Sequence, residues 1–250
     1  MTRFHIIFML ALLAAILTLV FHIYILFAIV VILFLIVMGL GVAFPQLSLF
    51  GNFICRGKNP GHCVALTFDD GPDARSTPML LDLLKEAKIK AAFFCVGEKV
   101  AANRELAARI VREGHLLENH SYAHSHFTNF FSIARLQTEI VQTQTAIQAA
   151  TGILPRFFRP PMGLSNPRIF SVAHQLNLKV IGWSNRGLDT QISEPEKIVA
   201  RISRRLKSRA IILLHDGNIP AERLALTVKL LLTKLRERGY EVVRLDKMLE

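Results

Sequence analysis

Charged side chains are missing from the N-terminal part of the chain: from Phe4 to Cys55 there is no Asp, Glu, Lys or Arg. Within it an apolar run of some forty residues, taken as a single helix at about 1.5 Å rise per residue, would reach about 60 Å, twice a bilayer core, so two spans are predicted rather than one. Polar side chains cluster at Phe21-His22-Ile23-Tyr24, which marks the break and gives a helical hairpin with spans near 5–20 and 25–43. A cleaved signal peptide competes with this reading, but its apolar region runs only about 7–15 residues and the second stretch would remain.

After residue 60 the pattern changes to short apolar runs alternating with amphipathic stretches. Seven strands are predicted, at 64–68, 91–96, 116–119, 157–159, 179–183, 210–215 and 241–244. Between them, apolar residues spaced three and four apart predict helices at 77–87, 99–112, 133–150, 195–206 and 221–238. Alternation of this kind indicates an α/β domain with a parallel sheet, closed or nearly so. The expected division is a membrane anchor at 1–46, a linker at 47–60 and a globular domain at 61–250, with no internal repeat or second globular domain.

Thr67-Phe68-Asp69-Asp70-Gly71-Pro72 ends the first of these runs on two adjacent carboxylates. Like charges side by side repel, and a buried carboxylate needs a cation or hydrogen bonds, so the pair suggests a bound metal or a raised pKa; ordinary turn chemistry before Gly-Pro is the plain alternative. Asn119-His120-Ser121-Tyr122-Ala123-His124 sets two histidines four apart at a strand end, and His/His/Asp is a usual ligand set for catalytic zinc. His115, His126 and His174 are read as surface or core residues without a role. Two further runs, Arg156-Phe157-Phe158-Arg159-Pro160-Pro161-Met162-Gly163 and Ile211-Ile212-Leu213-Leu214-His215-Asp216-Gly217, also end on polar side chains. Catalytic residues of α/β barrels collect at such C-terminal strand ends.

With these motifs in this order from roughly residue 64 onward, the sequence resembles the polysaccharide deacetylase family, the NodB-homology or carbohydrate esterase family 4 enzymes. The resemblance implies a distorted (β/α)7 barrel, NodB-like, and hydrolysis of N-acyl amides on amino sugars. It implies Asp69 as catalytic base, with Asp70, His120 and His124 as ligands of a divalent metal, Zn2+ foremost. Arg159 matches the arginine that holds the base. Leu213 and His215 match the acetyl-pocket wall and the general acid, and Asp189 the carboxylate that orients this acid. Pro160 and Pro161 are expected beside Leu213 in the substrate pocket.

Two positions depart from the family pattern. Thr190 stands where a pocket-lining Trp follows that last Asp, and Arg186 where an Asp is common. A pocket without its aromatic wall and with an added cation would suit a different acyl group, or a substrate with phosphate or carboxylate near the sugar. The alternative is a solvent-exposed Arg186 and another side chain in place of the Trp.

The chemistry follows from the residue types. A divalent cation polarises the acyl oxygen and acidifies water; Asp69 takes a proton while His215 must arrive protonated for the departing amine, so a bell-shaped pH profile is expected.

Thirty Lys and Arg stand against nineteen Asp and Glu, almost all of them after residue 55. They are scattered apart from Arg201-Ile202-Ser203-Arg204-Arg205-Leu206-Lys207, so nucleic acid is not the expected partner. Anionic head groups or an anionic glycan fit such a surface, as does a plain solvated helix face. Arg3, Arg56 and Lys58 flank the spans and point to a cytoplasmic domain by the positive-inside rule, whereas family habit points outward from the cell membrane, the orientation adopted here. Cys55 and Cys63 are either a disulfide or two thiols, and Cys95 is a core residue. The reading is a membrane-anchored deacetylase of amino sugars in a glycan such as peptidoglycan. Its alternatives are a deacylase or deformylase of a lipid-linked amino sugar and a tethered glycan-binding protein without turnover; oligomeric state is left open.

Overall fold

The computed structural model describes residues 2–58 and 61–250. It opens with two apolar helices, α1 (Arg3–Val20) and α2 (Tyr24–Ala43), that fold back on each other with Phe8 and Phe34 in ring contact at 6.1 Å. Both are long and apolar enough to cross a membrane. At about 1.5 Å per residue they measure roughly 27–30 Å, the thickness of a hydrocarbon core. Thr18 hides its hydroxyl by donating to the carbonyls of Ala14 and Ala15 at 3.0 and 2.9 Å. Most of the exposed large apolar side chains lie on this hairpin. At its foot the chain turns back: Leu49 packs against Gly41, the Phe4 N–H reaches the Leu49 carbonyl at 3.0 Å, and Gln46 Nε2 donates to the Trp183 carbonyl at 3.2 Å.

The rest of the chain is built on one all-parallel sheet. Its strands are β1 (Cys63–Gly71), β2 (Ala92–Cys95), β3 (Leu116–Asn119), β4 (Phe157–Phe158), β5 (Lys179–Val180), β6 (Asn185–Arg186), β7 (Ala210–His215) and β8 (Glu241–Val242). The order is β5-β4-β3-β2-β1-β7-β6, with β8 beside β1. The seven strands expected from the sequence are therefore eight: β6 is only two residues long, and neither Asn nor Arg favours a strand. β5 and β6 end the row without pairing to each other, so the barrel is an open half-barrel.

Helices carry the chain back between strands: α3 (Ser76–Glu86), α4 (Gly97–Ala102), α5 (Arg104–Arg112), α6 (Ile133–Thr151), α7 (Pro167–Gln175), α8 (Pro195–Arg204), α9 (Ala221–Glu237) and α10 (Leu245–Leu249). The helix expected at 99–112 breaks at Asn103, whose backbone leaves the helical region and whose side chain bonds the Lys99 carbonyl at 2.9 Å. α7, not foreseen, starts on an Asn166 cap that accepts the Ile169 N–H, with Pro167 in its first turn.

Period-two alternation sorts the strands. Val64, Leu66 and Phe68 of β1 and Ala210, Ile212 and Leu214 of β7 face the outer core beneath the helices. Ala65, Ile211 and Leu213 face the concave side, which α10 closes from below with Leu245 and Met248. Continuing the same parity brings Thr67, Asp69 and His215 to the concave face. Asp69 and His215 are direct neighbours in the β1–β7 register.

Candidate active site

A regular strand would send Asp70 to the face opposite Asp69. Instead the β1–β2 register slips between Asp69 and Gly71, and Asp70 takes a left-handed backbone with φ 71°. That conformation is more tolerable for Asp than for bulkier residues, and it brings both carboxylates to one rim.

Arg159, just beyond β4, is wholly buried. Its Nη1 donates to Asp69 Oδ1 at 2.6 Å and to Thr67 Oγ1 at 2.9 Å, its Nη2 to the Gly182 carbonyl at 2.9 Å, and its Nε to the Ile181 carbonyl at 3.3 Å. The guanidinium lies 4.0 Å from the centre of the Phe94 ring. A buried cation is tolerable only when paired and hydrogen-bonded in this way, and the pairing leaves Asp69 Oδ2 turned toward His120, 3.8 Å away.

β3 delivers the histidines. Asn119 anchors the turn, donating to the Ile140 carbonyl at 2.9 Å and accepting the Ser121 N–H at 3.0 Å. His120 Nδ1 donates to the Arg159 carbonyl at 2.7 Å, which directs the Nε2 lone pair at Asp70 Oδ1, 3.4 Å away. His124 Nε2 lies 3.1 Å from the same oxygen. Glu139 of α6, absent from the sequence-based candidates, accepts the backbone N–H groups of Tyr122 and Ala123 at 3.0 and 2.9 Å and so pins the loop between the two histidines.

The donor atoms of Asp70, His120 and His124 all lie within 4.8 Å of one another. Two imidazole nitrogens and a carboxylate oxygen at this spacing fit a divalent ion such as zinc. The local charges agree. Burial opposes ionisation of Asp70, but the hydrogen bond and charges of the neighbouring histidines hold its carboxyl well below the usual range. Burial and the charge of His120 bring His124 down to about 4, leaving its nitrogen a free base. Burial also pulls His120 down, yet Asp69 and Asp70 override it and push it up, the mark of a negative field that favours a cation at Nε2.

On the facing strand, His215 Nδ1 sits 3.0 Å from Asp189 Oδ1, while the His215 N–H donates to Asp189 Oδ2 at 2.7 Å. Burial lowers the imidazole, but the Asp189 hydrogen bond and charge, with help from Asp69 and Asp70, lift it to about 9. It is therefore a cation at neutral pH.

Asp69, Asp70, His120, His124 and His215 line one cavity of about 330 Å³, together with Leu213, Thr190 and Arg186. Pro160 and Pro161 do not reach it: both are buried, and the turn that starts at Pro161 presents Met162 and Gly163 instead. Gly163 has φ 66° and lies so close to Trp183 that a Cβ would run into the indole. Trp183 thus supplies an aromatic wall that Thr190 cannot. Arg186 is exposed yet still borders the cavity. His126, read from sequence as having no role, is also at the rim, its ring 6.3 Å from that of His124. Asp216 is a further residue that sequence reasoning passed over, although it directly follows His215. It is fully buried behind Asp69, donates its N–H to the Asp69 carbonyl at 3.0 Å and accepts from Thr77 at 2.7 Å, and burial raises its carboxyl to about 7. All three cysteines are free thiols, so Cys55 and Cys63 are not bridged.

The sequence profile of the family described as Polysaccharide deacetylase matches residues 56–181. The chain is 35% identical over 185 residues to the peptidoglycan-N-acetylglucosamine deacetylase of Listeria monocytogenes, a match that takes in 74% of this chain but only 38% of the relative's length. A peptidoglycan-N-acetylglucosamine deacetylase of Bacillus cereus is 32% identical over 188 residues, covering 74% of this chain and 87% of that protein. Among solved structures, a CE4 family pseudoenzyme from Bacillus anthracis superposes with a TM-score of 0.74 at 28% identity, over 80% of this chain and 69% of that one.

Proposed function

The chain belongs to the polysaccharide deacetylase family, and on that premise we propose that it is a membrane-anchored, metal-dependent deacetylase acting on the N-acetyl amide of amino sugars in a glycan such as peptidoglycan. The observation that carries this reading is the opposition of two charged pairs across one cavity: Asp69 paired with the Arg159 guanidinium, and His215 held protonated by Asp189. Amide hydrolysis needs a proton acceptor and a proton donor on opposite sides of the acyl carbon, each in its own protonation state. The relatives named as deacetylases support the same assignment.

Asp70, His120 and His124 would hold the ion, zinc by the chemistry of the donor set, and a bound divalent ion polarises an acyl oxygen and acidifies water. Asp69 accepts the proton of the attacking water at Oδ2, since Oδ1 is engaged by Arg159. His215 is fixed through Nδ1 by Asp189, so Nε2 delivers the proton that the leaving amine requires. Leu213 and Trp183 wall the acyl group and exclude water beside it.

Residues 1–46 are proposed as a two-span anchor in the cell membrane, 47–60 as the connection and 61–250 as the catalytic domain, on the extracytoplasmic side where a wall glycan lies. The length and exposed apolar faces of α1 and α2 support the anchor.

Likeness to a pseudoenzyme favours a second reading, a glycan-binding protein without turnover. Acetate release by the full-length protein in detergent, with zinc added, from N-acetylated peptidoglycan fragments separates the two. Turnover that disappears in Asp69→Asn supports the deacetylase, whereas glycan binding without acetate release establishes the second reading.

A further inference from the structure

Outside the catalytic cavity, a second cleft of about 370 Å³ lies between the edge strand β6 and the C-terminal half of α8, and Arg186, Arg201, Arg204 and Arg205 line it with Ser184 and Asn185. None of the four guanidinium groups has an ion-pair or hydrogen-bond partner among the described residues. Other arginines of this protein do: Arg109 pairs with Asp82 and Glu113, Arg112 with Glu105, and Arg156 and Arg244 with Asp246. Arg201 stands three and four residues before Arg204 and Arg205, so like charges crowd one helix face, which disfavours the helix. The α8 dipole offsets part of this for Arg201 and Arg204 in its last turn. It does nothing for Arg186, which comes from a different element. A plain solvated helix face would not enlist a strand residue as its opposite wall.

The cleft is also fixed in shape. Asn185 Nδ2 donates to the Ile202 carbonyl at 3.0 Å and ties β6 to α8. It adjoins the catalytic cavity, because Arg186 borders both and pairs in register with Leu213, two residues before His215. Trp183, one residue before Ser184, is tied through its carbonyl to Gln46 at the foot of the hairpin. The basic cleft, the acyl site and the start of the apolar hairpin thus follow one another along a short stretch of surface.

We propose that this cleft is a phosphate subsite, and that the amino sugar entering the catalytic cavity carries a phosphate or pyrophosphate group beside it. The proposal rests on the deacetylase reading above. Arginine forks match tetrahedral oxyanions by paired hydrogen bonds, and four cations converging on one volume of this size suit the several charges of a pyrophosphate better than a single carboxylate. Proximity to the hairpin adds that such a phosphate reaches the site from the membrane surface, as in a sugar joined by pyrophosphate to a polyprenol.

The test uses the full-length protein in detergent micelles and the triple variant Arg201→Ala/Arg204→Ala/Arg205→Ala, whose side chains are exposed. Calorimetric titration with inorganic pyrophosphate should show binding by the wild type that weakens tenfold or more in the variant. Acetate release is then compared between N-acetylglucosamine linked by pyrophosphate to a polyprenol and a neutral chitooligosaccharide. The ratio of the two kcat/KM values should favour the phosphorylated substrate and fall about tenfold or more in the variant. Turnover with no such preference overturns the subsite and leaves the deacetylase standing. Loss of binding to phosphatidylglycerol vesicles with an unchanged ratio assigns the arginines to lipid head groups and overturns it as well. If neither substrate is turned over, the deacetylase reading fails, and equal pyrophosphate binding by wild type and variant overturns the cleft independently.

Discussion

Arg159 and Asp69 meet at 2.6 Å beneath the floor of the cavity: the arginine is 0% exposed and the aspartate, which borders the cavity, 3%. Asp69→Asn keeps the shape but cannot take a proton, so turnover should fall roughly 10²–10⁴-fold while metal content stays. Arg159→Ala should instead unfold more readily, by about 3–5 kcal/mol in denaturant titration, because it strands a buried carboxylate. Metal loss in Asp69→Asn with metal retained in Asp70→Asn would show that the two carboxylates have each other's roles.

Asp70, His120 and His124 should together hold about one divalent ion per chain, measured by elemental analysis of protein purified without chelator. His120→Ala removes a ligand and should leave the protein depleted of metal, since affinity depends on every ligand. Full occupancy in that variant would place the metal elsewhere.

The carboxylate pair is legible in the sequence because it closes an apolar run, a local pattern, and the two histidines because they stand four apart at a predicted strand end. Alternation along β1 and β7 likewise foretells that Asp69 and His215 share a face. β6 is hidden by being two residues long, and α7 needed its Asn166 cap and Pro167 start to be weighed above its mixed composition. Trp183, His126 and Glu139 are beyond any local reading. Their place at the site depends on where a loop of one strand falls against another, and nothing in their own neighbourhood records it. Asp70 stands between these cases: its identity is visible, but its left-handed backbone, which makes it a neighbour of Asp69, is not.

Glu139 is predicted to be a positioning residue. Its carboxylate carries both backbone contacts to the loop between His120 and His124. Glu139→Ala should therefore weaken zinc affinity about 10–100-fold in competition with a chelator, while Glu139→Gln, which keeps an acceptor oxygen, recovers much of it. A purely structural role would lower the melting temperature of both variants with zinc affinity unmoved.

Trp183 borders the same cavity as Thr190, and Gly163 makes room for its ring. Trp183→Leu should raise KM for acetylated substrates more than it lowers kcat and relax selection for acetyl over larger acyl groups, by about 10-fold for the loss of close apolar contact. Thr190→Trp in that background should restore part of the selectivity. No change in acyl preference in either variant would remove Trp183 from the acyl pocket.

His215 gives the pH dependence a sign. Its imidazole, lifted to about 9 mainly by Asp189 against the effect of burial, is protonated at neutral pH and loses its proton as pH passes that value. A general acid works only while protonated, so kcat should hold on the alkaline side up to about 9 and fall above it. Asp189→Asn removes the charge that opposes burial. Its alkaline limb should shift down toward or below the ordinary histidine value of about 6.5, so that activity at pH 8 drops while activity at pH 6 drops less. Stability follows the same linkage. A folded-state pKa above the unfolded one adds stability that is complete below about pH 6.5 and is lost as pH rises through about 9, on the order of 3 kcal/mol. Unfolding free energies at pH 6 and pH 10 should therefore differ by that order in the wild type and by much less in Asp189→Asn. An alkaline limb that stays in place in Asp189→Asn would separate His215 from the proton transfer.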